Sequence, residues 1–369
     1  MKVHNFAVIG VGGRGGDWVK ELSRNQEVKL LAVMDIDEKR VKKVAEECGA
    51  TPYLDAEEMF QQEKLDGVVI ATPHYMHAPY TVMAAEHDVN VISEKPMAIT
   101  LQQCDEMIIA CRKHAVKLAI GFQHRFNPTH QYIYDAARGA KGELGTIGRV
   151  TDWQCVTRHY RGDLYYLSSS PVDPKTGVKA GPWRGRWSTE GAGILINQAV
   201  HELDLFQWMV GPLRSLSAHA ATISKEHALI EVEDTVAVSF ESLAGAVGTM
   251  IFTSSNKKSE KNKFVVHGTE GYVEEIDGMV TMDTRYKNEE DYEVPFTQPA
   301  RQNVLENFID AVDKDTEPIV PGEEGRKAIE VIRAILKSVE TDQAVYFPVK
   351  DSSSFPTVIN VYRDKPFEF

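Results

Sequence analysis

Two short segments carry side chains able to move a proton to or from a hydroxyl group. One is Glu94-Lys95-Pro96, an amine set between a carboxylate and a proline. The proline disfavours the α conformation at Lys95 and keeps the chain extended there. The other runs Gly191-Ala192-Gly193-Ile194-Leu195-Ile196-Asn197-Gln198-Ala199-Val200-His201-Glu202-Leu203-Asp204 and reads as a glycine-rich entry into a helix. Asn197 and His201 stand four residues apart and Asp204 three further on, a spacing that predicts one shared helical face. Imidazole titrates near neutrality and suits a general base. An amine suits that task only where its surroundings depress its pKa, as a positively charged ring beside it would. Each segment alone also has a plain structural reading: a surface lysine in a turn, or an aspartate that fixes a helix.

A glycine loop supplies the partner for such chemistry. Gly10-Val11-Gly12-Gly13-Arg14-Gly15 fits G-x-G-x-x-G between an apolar strand and a helix. In that motif the first glycine permits a tight turn, the second lets backbone approach a pyrophosphate, and the third packs helix on strand. The free amides at the helix start then hold phosphate. Asp35 follows about 20 residues later, where an acid binds a ribose diol and repels a 2′-phosphate. This favours NAD; Lys39 and Arg40 keep NADP as the less favoured alternative. The plain reading of Asp35 is a helix cap, for which Asp37 is better placed.

The elements that must position these residues follow from hydrophobic periodicity. Strands are expected at 3–10, 28–35, 67–72, 90–93 and 118–121, with helices at 17–25, 38–48 and 101–114. Strands alternating with helices imply right-handed crossovers and a parallel, doubly wound sheet, with Lys95 at its carboxyl edge. Beyond residue 125 the pattern changes. Strands are expected at 149–159, 215–224, 235–241, 246–253 and 264–266, separated by glycine turns, which predicts a mostly antiparallel sheet in an α+β domain. Helices near 301–313 and 323–339 complete the chain, and 168–185 reads as a long Ser/Pro/Gly-rich loop.

Three further motifs raise the specificity of this reading. They are Ala71-Thr72-Pro73-His74 with His77, Glu94-Lys95-Pro96, and Gly121-Phe122-Gln123-His124-Arg125-Phe126-Asn127-Pro128. Together with the glycine loop, Gly268-Thr269-Glu270-Gly271 and Gly322-Glu323-Glu324-Gly325, they resemble the glucose-fructose oxidoreductase / inositol dehydrogenase / MocA family over essentially the whole chain. The resemblance implies an NAD(P)-binding Rossmann domain over 1–124 and a substrate-binding, oligomerising α/β domain with a large open sheet over 125–369. It implies a dehydrogenase acting on the CH–OH of a sugar, glycoside or polyol.

The expected cofactor residues are Gly10, Gly12, Gly13, Arg14, Gly15, Asp35, Thr72, Pro73, His74, His77, Glu94, Lys95 and Gln123, with His74 and His77 lining the nicotinamide pocket. The expected substrate residues are Lys95, Arg125, Tyr160, Trp183, Arg184, Asn197 and His201; Lys95, His201 and Asn197 form the catalytic set. Family members often carry Asp at the position of Asn197 and Gly at that of Gln198, so an Asp–His dyad does not transfer. Whether His201 or Lys95 is the immediate base stays open, as does Asp204 between orienting His201 and fixing the helix. Glu94 is read as support for Lys95. Arg125 has ion pairing as its alternative role. Tyr160, Arg161, Trp183, Arg184 and Trp187 divide between substrate and subunit contacts.

Bulk properties narrow the classes. The chain has 369 residues, a formal charge of −13 and 43% hydrophobic residues. Two globular domains are expected, and the acidity opposes nucleic-acid binding, which needs clustered Lys and Arg. No apolar run resembles a signal peptide or a membrane span, so a cytoplasmic protein is expected. Four scattered cysteines predict free thiols. His201-Glu202-Leu203-Asp204-Leu205 lacks the second histidine of a zinc motif, and His74 with His77 lacks a third ligand, so no metal is expected. Two other readings compete with the dehydrogenase: a redox-assisted lyase or glycosidase that recycles NAD, and a non-catalytic dinucleotide sensor.

Overall fold

The computed structural model describes residues 2–138, 144–167, 182–257, 262–284, 287–290, 302–350 and 359–360. Most of the loop expected at 168–185 lies outside the described residues. The first sheet is built from β1 (His4–Ile9), β2 (Val28–Met34), β3 (Thr51–Tyr53), β4 (Gly67–Ile70), β5 (Asn90–Ser93) and β6 (Leu118–Ile120). Their order is β3-β2-β1-β4-β5-β6, all parallel. The order reverses between β1 and β4, which opens a crevice at their carboxyl ends. The connecting helices are α1 (Gly13–Arg24), α2 (Glu38–Cys48), α3 (Ala56–Gln62), α4 (His77–Glu86) and α5 (Leu101–Lys113). β1 and β4 bury nearly every side chain, as strands covered on both faces must.

After α6 (Pro128–Arg138) the chain enters a second sheet at β7 (Val150–Arg158), then passes through the short helices α7 (Asp163–Leu167), α8 (Ile194–Asn197) and α9 (Val200–Met209). It returns through β8 (Leu213–Thr222), β9 (Thr235–Ser242), β10 (Val247–Thr253), β11 (Lys263–Gly268), β12 (Gly271–Ile276), β13 (Met279–Thr284) and β14 (Lys287–Glu290). Helices α10 (Val304–Lys314) and α11 (Gly322–Thr341) and the short strands β15 (Val345–Tyr346) and β16 (Ile359–Asn360) follow. The ten strands are ordered β14-β13-β12-β11-β7-β10-β9-β8-β15, with β16 also on β8. Pairing is antiparallel except at β7–β10 and β8–β16.

The inward face of the second sheet is apolar: Trp153, Phe240, Met250, Phe252 and Phe264 are buried, and Trp153 packs against Phe206 of α9 with centroids 4.8 Å apart. The outward face is different in character. Gln154, Thr249, Ser239 and Ser217 lie in one register across four strands, and Val156, Ile251, Ala237 and His219 in the next. This face is mainly small and polar, with Val247 and Ile251 exposed. Strand alternation alone sends these residues outward.

The last helices return to the first sheet. Phe308 of α10 meets Phe6 of β1 edge-on at 6.2 Å, and the Ile120 amide donates to the Val320 carbonyl at 2.9 Å. Cys104, Cys111 and Cys155 are buried and stand in no disulfide among the described residues. Among the described residues no helix is long and apolar enough to cross a membrane, and no cluster of three or more His, Cys, Asp or Glu could hold a metal.

Candidate active site

The glycine loop turns from β1 into α1 with the geometry a pyrophosphate needs. Gly10 has φ +83°, and a Cβ there would meet the Ala71 carbonyl oxygen at 2.8 Å. A Cβ on Gly15 would fall 1.7 Å from the Gly10 carbonyl oxygen, so only glycine lets the helix seat on the turn. A Cβ on Gly13 would meet nothing within 4 Å, and Gly12 faces only the Arg40 guanidinium at 3.7 Å and beyond. No side chain caps the start of α1, and its first turn carries no acid. Free amides and open space together fit a dinucleotide pyrophosphate.

Asp35, at the end of β2, is buried. Its Oδ2 accepts from the Val11 amide at 3.0 Å, its Oδ1 from the Asp37 amide at 2.9 Å, and Arg40 Nη1 reaches both oxygens at 3.1 and 3.2 Å. Asp37 caps α2 by accepting from the Arg40 amide. Arg14, expected on the cofactor, directs its Nε to Glu94 Oε1 at 2.8 Å, and its guanidinium lies 5.1 Å from the Trp18 ring. Glu94 also accepts from Trp18 Nε1 at 2.7 Å and from the Lys95 amide at 3.2 Å. Its carboxylate is thus spent on the protein, fixing the strand end that carries Lys95.

Lys95 leaves β5 at the carboxyl edge, and its Nζ donates to the Asn197 carbonyl oxygen at 2.9 Å. Burial lowers its pKa, while Glu94 and Glu202 work in the opposite direction. The expectation of a single face for Asn197, His201 and Asp204 is corrected here: Asn197 ends α8, His201 lies in α9, and the helix breaks between them at Gln198–Ala199. Glu233 causes the irregular entry. Its buried carboxylate accepts from the Gly193 amide at 2.8 Å and the Leu195 amide at 3.1 Å, fixing the start of α8 where the glycines enter it.

His201 is buried against His124, with ring centroids 4.3 Å apart, and edge-on to Phe122 at 6.0 Å. Burial drives its pKa well below the usual imidazole value, and the nearby Lys95 charge adds to this, so the ring is neutral. Its Nδ1 and the Asn197 Oδ1 are both buried without a hydrogen-bond partner among the described residues. Two orphaned polar atoms beside an amine are an arrangement that a bound hydroxyl would satisfy.

Asp204 does not orient His201. It receives Arg125 Nε at 2.9 Å and Nη2 at 2.6 Å, and Arg125 Nη2 also reaches Glu324 Oε2 at 2.9 Å. Arg125 is 2% exposed and turned wholly to these acids, which corrects its expected place on the substrate. His77 is likewise a brace: it is 1% exposed, and its Nδ1 lies 2.7 Å from the Pro96 carbonyl and its Nε2 3.0 Å from that of Thr72. This ties the Thr72-Pro73 turn to the Lys95 segment, leaving no ring nitrogen for a nicotinamide. Gln123 is exposed at the start of the 123–126 turn.

On the other wall, His74 Nδ1 lies 3.0 Å from the Glu190 carbonyl oxygen and its ring meets Trp183 edge-on at 4.7 Å. Arg184 lies over both Trp183 and Tyr165, at 4.6 and 4.5 Å, and Arg161 is 5.1 Å from the Tyr165 ring. Tyr160 bonds to Glu226 at the rim, whereas Trp187 packs against a separate cluster of Tyr166, Ile230 and Val232.

Sequence reasoning missed Glu190. It is fully buried, its side chain accepts from Asn197 Nδ2 at 3.2 Å and from the Gly185 amide, and burial pushes its pKa up to about 8. An acid directly before a glycine-rich helix entry looks like a helix-start residue, so the sequence offers no signal for this inward aim.

Residues 4–122 match a family described as an oxidoreductase family with an NAD-binding Rossmann fold, and residues 145–349 match its C-terminal alpha/beta domain. A 1,5-anhydro-D-fructose reductase of Ensifer adhaerens is 24% identical over 357 residues, covering 93% of this chain and 98% of the relative. A myo-inositol 2-dehydrogenase of Thermotoga maritima is 24% identical, covering 92% of this chain and 97% of the relative. A 2,7-anhydro-N-acetylneuraminate hydratase of Mediterraneibacter gnavus is 28% identical over 213 residues, which span 57% of this chain but only 50% of that relative. Among solved structures, a WlbA dehydrogenase from Bordetella pertussis in complex with NADH and UDP-GlcNAcA superposes with a TM-score of 0.80 at 24% identity, covering 95% of this chain and 100% of that one.

Proposed function

The chain belongs to the NAD-binding oxidoreductase family whose two domain descriptions it matches, and on that premise we propose that it is an NAD-linked dehydrogenase acting on a secondary alcohol of a sugar, glycoside or cyclitol. The observation that carries the reading is the meeting of Lys95 with the Asn197–His201 segment. An amine from the Rossmann sheet edge is held 2.9 Å from a carbonyl of the second domain, beside two buried polar atoms that lack partners among the described residues.

Gly10, Gly12, Gly13 and the start of α1 would hold the pyrophosphate, and Asp35 the adenosine ribose. Bound nicotinamide supplies the acceptor for a carbon-bound hydride. The residues of this chain handle the hydroxyl. Lys95 takes the hydroxyl proton from its neutral form, which burial favours. Neutral His201 offers a second acceptor for that proton, and the Asn197 oxygen orients the substrate by accepting from a neighbouring hydroxyl. Trp183, Tyr165 and Arg184 form an aromatic and cationic wall suited to sugar C–H faces and hydroxyls. The names of the relatives, a sugar reductase and an inositol dehydrogenase, support the polyol class.

The test is NADH formation, followed by absorbance, against a panel of pyranoses, methyl glycosides, levoglucosan, myo-inositol and UDP-sugars. Lys95→Ala should lower turnover about 1000-fold, within the span of general acid–base effects, while NADH affinity stays at the wild-type value. Wild-type turnover in that variant would remove Lys95 from the mechanism. The hydratase relative supports a second reading, a redox-assisted lyase; there product forms with no net NADH.

A further inference from the structure

Asn197 reaches the site with an amide that is symmetric in shape but not in chemistry: one end donates and the other accepts. Which end faces the alcohol is decided by whatever holds the far end. Here that is Glu190. Its Oε1 accepts from Asn197 Nδ2 at 3.2 Å, and its Oε2 takes the Gly185 amide. The Asn197 Oδ1 is left buried and unpartnered among the described residues, on the same residue whose backbone carbonyl receives Lys95 Nζ. The Glu190 backbone carbonyl also meets His74 Nδ1 at 3.0 Å, so this one buried residue contacts both walls of the site.

We propose that Glu190 is a positioning residue: its carboxylate locks the Asn197 amide with the oxygen toward the substrate, so that a hydroxyl next to the reacting one meets an acceptor and not a donor. The inference rests on the dehydrogenase reading and adds a polarity-setting residue to it. A carboxylate can only accept, so Asn197 can face it only with Nδ2. The Gly185 N–H makes the arrangement directional. In Glu190→Gln the side-chain oxygen must stay on the Gly185 amide, which aims the new NH2 at Asn197. The amide must then turn over, presenting its own NH2 to the alcohol.

Protonation of Glu190 does the same, because the acid O–H would donate to the Asn197 oxygen. Burial raises the Glu190 pKa to about 8, with Glu233 adding to the rise and the Gly185 amide, Asn197 and Arg184 opposing it. The locked, ionised form is therefore present above that pH and is lost as pH falls through it.

The experiment uses the full chain and the panel alcohol that the wild type turns over fastest. Measured above pH 8, where the lock is present in the wild type, Glu190→Gln should lower kcat about 100-fold, the scale of one misdirected polar contact in a dry site, with NADH affinity unchanged. It should also lose the rise of kcat/KM with pH near 8. Glu190→Gln combined with Asn197→Asp should recover at least about tenfold of that loss, because a carboxylate at position 197 accepts from the introduced glutamine amide and still offers an acceptor to the alcohol. Recovery in the double variant is the outcome a packing role would not give.

Wild-type kcat in Glu190→Gln, or a double variant no better than the single one, overturns the proposal. Where Glu190→Gln fails to fold, as judged by loss of NADH binding, the double variant decides: folding with activity supports the proposal, and folding without activity overturns it. If the double variant also fails to fold, Glu190 is a packing residue and the proposal is overturned. A wild type that binds NADH but turns over no panel alcohol sinks the dehydrogenase reading itself, and the inference with it.

Discussion

Asp35 serves two partners with one carboxylate. It accepts the Val11 amide, which shapes the glycine loop, and it holds Arg40 across both oxygens. A ribose diol would compete with Arg40 for it, whereas a 2′-phosphate would draw Arg40 away. Removing the carboxylate frees the guanidinium for phosphate. Asp35→Ala should therefore weaken NAD binding about tenfold or more, as expected for hydrogen bonds to a charged group. NADP binding should change less, so the ratio between the two narrows; titration of both nucleotides checks this, and an unchanged ratio would refute the assignment. At this scale local motifs made legible the placement of Gly10 and Gly15 in the turn after β1 and of Asp35 and Lys95 at strand ends. It did not disclose residues whose role depends on where a buried side chain aims. Glu190, Glu233 and Trp18 all act by hydrogen bonds that cross between segments, and no spacing along the chain encodes that.

Between α8 and α9 the chain breaks at Gln198–Ala199, and this break separates the work of Asn197 from that of Asp204. Asn197 closes the site, while Asp204 clamps α9 to the 123–126 turn through Arg125, which also reaches α11 at Glu324. Burial raises the Asp204 pKa to about 6, against the pull of Arg125, so the carboxylate is ionised at neutral pH and the pair is intact. Arg125→Met leaves Asp204 buried and unpaired, at a cost of about 3–5 kcal/mol. The urea midpoint should drop accordingly, and Arg125→Met with Asp204→Leu should recover most of it. An unchanged midpoint in the single variant would show that the three-way tie is idle. Elements with strong periodicity, such as α2 and β5, were legible to the residue. The α8–α9 break was not, because an i, i+4, i+7 pattern persists across the two residues at which the helix stops and restarts. The short β3 and α3 lacked enough length to declare a period.

The whole molecule sets a fully buried parallel sheet against an open one. The outward face of the second sheet presents Gln154, Thr249, Ser239 and Ser217 in line, flanked by exposed Val247 and Ile251. Such an open, weakly polar face suits self-association across a twofold axis, and we propose that copies of the chain pair there. Ser239→Lys with Thr249→Lys places like charges on both copies and should reduce the mass seen by light scattering. The same mass as wild type would rule this face out. The resemblance implied the open sheet but said nothing of the polarity of its outer face.

Phe6 of the first strand is covered by Phe308, and the backbone of Ile120 is met by that of Val320. During synthesis these covers emerge from the ribosome long after the strands they protect. A nascent chain that has not reached α10 carries an aromatic ring on its first sheet still facing water, forgoing roughly 1.5–3 kcal/mol for that ring alone. The nucleotide fold thus gains its last covers only once residues 304–320 have been made, about 180 residues after its own final strand.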